Sequence, residues 1–174
     1  MAYESVKGNL SFRILPDELR KRFNGSMSYN AVDANDKWIY KKVLVTHSAA
    51  TIIGTNDDFL TVTNDSDDPA AASDNVRFII IKHTGYLTAD ESSLSAYGVL
   101  ISFDNTAPAW NTTAAAGTPL FLAPGDTIAI KIPNTQLSEL KLITCAILGG
   151  IPSGTTDSGK NALIEIAAIV DDGA

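Results

Sequence analysis

The chain has 174 residues and a mass of 18.4 kDa, which favours one compact body that needs neither disulfides nor a metal to fold. Its 45% hydrophobic residues exclude a disordered polar chain. Its net charge of -7 disfavours nucleic acid as a partner. The first residues lack the pattern of a secretory signal, and no apolar run approaches the roughly 20 residues that span a bilayer. We therefore expect a protein made in a cytoplasm, without a membrane partner.

Residues 1–36 predict an N-terminal arm that contains one short helix. Over residues 15–25, Pro16 suits the first helical position, acids precede bases along the segment, and Gly25 suits the helix end. Leu15, Leu19 and Phe23 recur at i, i+4 and i+8, which is the spacing of one narrow apolar stripe. Residues 25–36 are small and polar, and they predict an irregular linker.

Charge is distributed unevenly along the chain. Residues 1–45 contain eight Lys or Arg and five Asp or Glu, whereas residues 46–174 contain five bases and fifteen acids. This asymmetry predicts a basic arm on an acidic body. The alternative is ordinary surface charge without a role in binding.

Residues 37–174 predict a mainly β body. Seven short runs are rich in Ile, Val, Thr and aromatic residues, as strands are. They are WIYKKVLVT, VRFIIIKHT, YGVLISFD, PLFLA, TIAIKI, KLITCAIL and ALIEIAAIV. Pro124-Gly125 predicts a type II turn before TIAIKI, and the segment from Asn134 to Leu140 predicts one helical turn. Many short strands without a long helix indicate an antiparallel β-sandwich or jelly roll.

The arm combines apolar and basic residues, which predicts a docking segment for a protein partner, because arginine and aromatic residues are enriched at interface hot spots. The candidate partner-binding residues are Phe12, Arg13, Leu15, Leu19, Arg20, Lys21, Arg22, Phe23 and, in a loop of the body, Trp110. Two alternatives remain open. For the arm, the alternative is that it packs on its own body. For Trp110, the alternative is that it stacks on a sugar or packs over the end of the sandwich.

No motif predicts catalysis, a cofactor or a metal. Residues 154–161 match a phosphate-binding loop except at Asn161, where a Ser or Thr hydroxyl is required, and a strand rather than a helix is expected to follow. His47 and His83 are expected at the surface at strand ends, and Cys145 is expected to be a buried apolar residue. Residues 65–68 form an acidic loop for which calcium binding is the less favoured interpretation.

Five segments together resemble small virion structural proteins of tailed bacteriophages. They are SFRILPDELRKRFNGSMSY, DANDKWIYKKV, NVRFIIIKHTG, PLFLAPGDTIAIKIPNTQLSELKLITCAI and AAIVDDGA, and they extend over nearly the whole chain. The resemblance implies a β-sandwich or jelly-roll protein without enzymatic activity. It also implies a homo-oligomer, with a trimer favoured, that binds the major capsid protein or other virion subunits.

The resemblance leads to one expected function and leaves two alternatives. The expected function is capsid decoration (cement) in the virion. One alternative is a neck or tail component of the particle. The other is a β-sandwich that recognises glycans or a host surface through loops that hold Trp110 and Tyr86.

Overall fold

The computed structural model describes residues 5–13, 22–30, 36–46, 51–52, 60–61, 73–103, 120–132, 135–146 and 160–171. The chain divides into two compact units, Met1–Asp36 and Lys37–Ala174, and each is described by itself. Within the described ranges, no helix has the length and hydrophobicity needed to cross a membrane.

The first unit contains an antiparallel pair of strands, β1 (Ser5–Arg13) and β2 (Arg22–Asn30). We refer to this pair as the N-terminal hairpin. The predicted linker is wrong over residues 25–30, which belong to β2. The predicted helix over residues 15–25 is wrong at its end, because residues 22–25 are also strand; residues 14–21 lie outside the described part of the chain.

The second unit, the body, is a mainly β structure of antiparallel strands, as predicted. One sheet has the strand order β10-β6-β12-β3-β5, and β9 also pairs with β6. Its strands are β3 (Asp36–Val45), β5 (Leu60–Thr61), β6 (Asn75–His83), β9 (Thr127–Ile130), β10 (Thr135–Gln136) and β12 (Ala162–Asp171).

The second sheet of the body has the strand order β4-β11-β7-β8. Its strands are β4 (Thr51–Ile52), β7 (Tyr97–Ser102), β8 (Leu120–Leu122) and β11 (Lys141–Ala146). Each of the seven predicted runs therefore contains a strand. The two-residue strands β4, β5 and β10 were not predicted, because two residues are too short to show a period.

The core of the body lies between the two sheets. Buried Ile79, Ile81 and Ile166 from the first sheet belong to one apolar cluster with Val99 and Leu142 from the second sheet. Two sheets that bury one face each against a shared core form a β-sandwich, which confirms the predicted architecture.

Two short connections form as their sequences predict. Residues 123–126 make a turn in which the Asp126 N–H donates to the Ala123 carbonyl at 2.9 Å, and Gly125 has a φ of 87°. That positive φ is the reason for glycine after Pro124, since a type II turn requires it. The predicted helical turn is present as the 3-10 helix Leu137–Glu139, but its predicted start is wrong, because Thr135–Gln136 form the strand β10.

A β-bulge in β6 shifts the register between its two halves. Phe78 pairs with Ile169 and Val76 pairs with Val170, so Arg77 is the extra residue. The bulge places Val76 on the core face of the sheet. Without it, regular alternation would put Val76 on the same face as Phe78, which is not part of the core cluster. Arg77 forms an ion pair with Asp171 of β12.

Thr144 of β11 provides a first test of the core. Its side chain is fully buried, and its hydroxyl has no hydrogen-bond partner among the described residues. A buried hydroxyl without a partner costs about 1–3 kcal/mol. We expect Thr144→Val, which keeps the shape and removes the hydroxyl, to raise the free energy of unfolding by roughly 1 kcal/mol in urea titrations. Thr144→Ser, which keeps the hydroxyl, is the control; an equal gain in that variant would contradict this explanation.

Candidate protein interface

The N-terminal hairpin brings together four of the nine predicted partner-binding residues. Phe12 and Arg13 end β1, and Arg22 and Phe23 begin β2. The register pairs Phe12 with Phe23 and Arg13 with Arg22. One end of the hairpin therefore holds a pair of aromatic residues next to a pair of cations.

The same register separates apolar from polar residues. Directly paired residues of antiparallel strands lie on the same face, and successive residues alternate between faces. One face carries Val6, Gly8, Leu10, Phe12, Phe23, Gly25, Met27 and Tyr29. The other carries Ser5, Lys7, Asn9, Ser11, Arg13, Arg22, Asn24, Ser26, Ser28 and Asn30, of which Ser26 is exposed. The hairpin is therefore amphipathic by sequence position, with an apolar face that extends along both strands.

Four members of this face were not predicted as partner-binding residues: Val6, Leu10, Met27 and Tyr29. The sequence does indicate two strands with one apolar face each, because apolar and polar residues alternate over Ser5–Arg13 and Arg22–Asn30. The i, i+4, i+8 spacing of Leu15, Leu19 and Phe23 suggested a helical period instead. Phe23 shows the conflict directly, because it fits both patterns and belongs to a strand.

The remaining predicted partner-binding residues lie outside the described part of the chain. They are Leu15, Leu19, Arg20, Lys21 and Trp110. His47 and the acidic residues 65–68 also lie outside it.

The boundary between the two compact units changes the net charge assigned to the arm. Lys37, Lys41 and Lys42 were counted with the arm, but all three belong to β3 of the body. Residues 1–36 contain five bases and five acids, so this unit is neutral, whereas residues 37–174 contain eight bases and fifteen acids. The local charge of the hairpin strands is nevertheless positive, because Lys7, Arg13 and Arg22 are present without an acidic residue.

The outer face of the six-stranded sheet carries an ion network centred on Glu165 of β12. Lys82 of β6 lies 3.0 Å from its carboxylate, Lys42 of β3 lies 3.5 Å from it, and the Tyr40 hydroxyl donates to it at 3.1 Å. The hydrogen bond from Lys82 is the largest cause of the lowered pKa of Glu165. Lys42 also reaches Glu91 at 2.6 Å. Because these groups are paired and partly exposed, we assign them to holding neighbouring strands together.

The described residues offer no candidate metal site. Within them, no group of three or more His, Cys, Asp or Glu is placed to hold a metal ion. Lys160 is followed by the strand β12, as predicted, rather than by the helix that a phosphate-binding loop requires. Residues 154–159 of that motif are outside the described ranges, as is the side chain of Cys145.

The prediction of a surface histidine at position 83 is wrong. His83 does end a strand, but its side chain is fully buried and both ring nitrogens are within hydrogen-bond distance of a backbone group. A histidine at a strand end was expected to face solvent. The loop that follows β6 instead folds back beside it.

The chain matches no family model, no curated protein and no solved structure.

Proposed function

We propose that this protein is a non-enzymatic structural subunit of a bacteriophage particle, a capsid decoration protein that docks through its N-terminal hairpin. The observation that carries the proposal is the hairpin register, which collects eight apolar or glycine positions on one face and pairs Phe12 with Phe23. A two-stranded hairpin is at best marginally stable in water by itself. An apolar face of this kind therefore gains stability when it packs against another protein surface.

The size of the hairpin favours binding in many copies. Each strand has nine residues. At about 3.3 Å per residue and about 4.8 Å between strands, one face covers on the order of 300 Å². A stable protein interface buries about 800 Å² on each partner. One hairpin is thus a weak contact, and repeated copies on a lattice would strengthen it through avidity.

The polar face favours an acidic protein as the partner. Arg13 and Arg22 are directly paired, and like charges in that position destabilise a hairpin. Carboxylates of a partner would relieve this repulsion and orient the approach. The major capsid protein and other virion subunits are the proposed partners, and self-association of the body as a trimer is proposed beside them.

Mass spectrometry of purified phage particles tests the function. We expect this chain in the particle in fixed stoichiometry to the shell protein, and we expect the isolated protein to sediment as an oligomer. A neck or tail component would be present in far fewer copies than the shell protein. Absence from particles, together with binding of the isolated protein to a glycan array, would contradict the proposal and support the glycan-binding alternative.

A further inference from the structure

His83 lies where β6 ends and a loop, Thr84–Ala96, begins. Its backbone is fixed on one side, since its N–H donates to the Asp126 carbonyl at 2.9 Å and its carbonyl accepts from the Gly125 N–H at 3.1 Å. On the other side His83 pairs with Ile164 of β12. The imidazole is fully buried at this junction.

The hydrogen bonds define the protonation state of the imidazole. The Gly85 N–H donates to Nδ1 at 3.0 Å, so Nδ1 acts as an acceptor and carries no proton. Nε2 therefore carries the proton and donates it to the Tyr97 carbonyl at 2.8 Å. A neutral ring satisfies both neighbours, whereas a doubly protonated ring would place a second N–H against the Gly85 N–H.

Gly85 connects the two ends of the loop. Its N–H bonds to His83, and its carbonyl accepts from the Ser95 N–H at 2.8 Å. Its φ of +87° is a conformation that favours glycine. The imidazole thus holds the neck of the loop by way of Gly85, and it holds the start of β7 by way of Tyr97.

Other contacts of the loop do not involve the imidazole. The Thr84 N–H donates to the Leu163 carbonyl at 3.0 Å, and the Leu163 N–H donates to the Tyr86 carbonyl at 2.7 Å. At the far end of the loop, Glu91 pairs with Lys42 of β3. These contacts attach the loop to the sheet independently of His83.

We propose that His83 is an acid-sensitive latch: protonation of its imidazole breaks the hydrogen bond to Gly85 and opens the neck of loop Thr84–Ala96 while the sandwich stays folded. The proposal goes beyond the proposed function and does not depend on it. On a particle, such a latch would let acidification alter one defined loop of the surface rather than unfold the subunit.

The charges around the imidazole set the direction of its titration. Burial lowers the pKa of His83, and the Tyr97 carbonyl and the Asp126 carboxylate oppose that effect. The Asp126 carboxylate also accepts from the Ala123 N–H. Three other charged groups on the neighbouring elements are paired elsewhere, Lys82 with Glu165, Glu91 with Lys42 and Asp90 with Ser92.

A lowered pKa determines which pH favours the closed latch. The folded protein binds the proton more weakly than the unfolded chain does, so the contribution of His83 to stability is present above its ordinary pKa of about 6.5. That contribution decreases as the pH falls below that value towards the lower pKa of the folded state. The latch is therefore closed at neutral pH and opens on the acid side.

Amide hydrogen exchange followed by NMR tests the latch on the full chain. After correction for the intrinsic pH dependence of exchange, we expect the protection of the Gly85 and Ser95 amides to fall at least about tenfold between about pH 7 and about pH 5. The Thr84 and Leu163 amides, which do not depend on the imidazole, should keep their protection. A parallel loss at all four amides, or no loss at Gly85, would overturn the proposal.

His83→Gln is the matched variant, because its side-chain amide offers a donor and an acceptor but does not titrate. In this variant the protection of the Gly85 and Ser95 amides, corrected in the same way, should be independent of pH over the same interval. Persistence of the pH dependence would overturn the proposal. A second measurement uses the wild-type protein alone. The ¹⁵N shifts of the His83 ring should show the proton on Nε2 at neutral pH and on both nitrogens in the acid state; a ring protonated at Nδ1 at neutral pH would also overturn it.

Discussion

Replacement of both Phe12 and Phe23 by aspartate is expected to weaken docking to particles strongly without unfolding the body. The two residues are directly paired on the apolar face of the N-terminal hairpin. Pressing unpaired carboxylates into an apolar contact costs several kcal/mol. A loss of about 3 kcal/mol corresponds to roughly a hundredfold weaker binding. The measurement is a titration of purified particles that lack this subunit with the wild-type and variant proteins.

The control for this experiment is Ser11→Asp with Asn24→Asp. Ser11 and Asn24 are also directly paired, one residue away along the same strands, but on the polar face. This variant adds the same charge to the same hairpin but leaves the apolar face intact, so it should lose much less affinity than the phenylalanine variant. Any loss should come from weaker attraction of an acidic partner to the polar face, and it should shrink at high salt. Equal losses in the two double variants would show that added charge, not the apolar face, governs binding. Native affinity in the phenylalanine variant would locate the contact on the body instead.

Ile81→Ala is expected to destabilise the body strongly. Ile81 is fully buried in the core shared by the two sheets, on the strand β6 that pairs with β12, β9 and β10. Loss of a buried isoleucine side chain to alanine costs about 2–5 kcal/mol through lost burial and the cavity that remains. Urea unfolding followed by circular dichroism measures the change in the free energy of unfolding.

Ile80→Ala is the matched control, because it removes the same atoms from the preceding residue on the opposite face of the sheet. Ile80 is only half-buried, so we expect a loss of roughly 1 kcal/mol. Similar losses in the two variants would contradict the assignment of the two faces of β6. Neither variant changes the hairpin, so docking measured well below the unfolding transition should be unaffected.

The sequence by itself determined the class of the fold and most of the strands of the body. Ile128 and Ile130 are half-buried while Thr127 and Ala129 are exposed, as their alternation predicts. Such patterns can be recognised in a sequence because apolar and polar residues must alternate with period two along a strand that has one face on the core. The turn at Pro124-Gly125 was equally predictable, since its backbone requires a residue that tolerates positive φ.

For the candidate interface, the sequence supplied the residue types and only the strand register supplied their arrangement. Phe12, Arg13, Arg22 and Phe23 were chosen for their chemistry, and β1 and β2 pair them two by two. A run of nine residues with glycine, serine and asparagine has weak strand propensity, so local preference did not identify β1 or β2. Pairing between strands separated by eight residues is a non-local interaction, and a local pattern does not encode it.

The burial of His83 and the bulge at Arg77 were decided by tertiary structure alone. His83 is buried because the loop after β6 folds back and brings the Gly85 N–H to its ring, while Tyr97 reaches it from β7. The bulge at Arg77 is visible only in the pairing of β6 with β12. The bulge depends on the pairing of β6 with β12, and the burial of His83 depends on the loop and on β7, so the residues of β6 alone do not determine either feature.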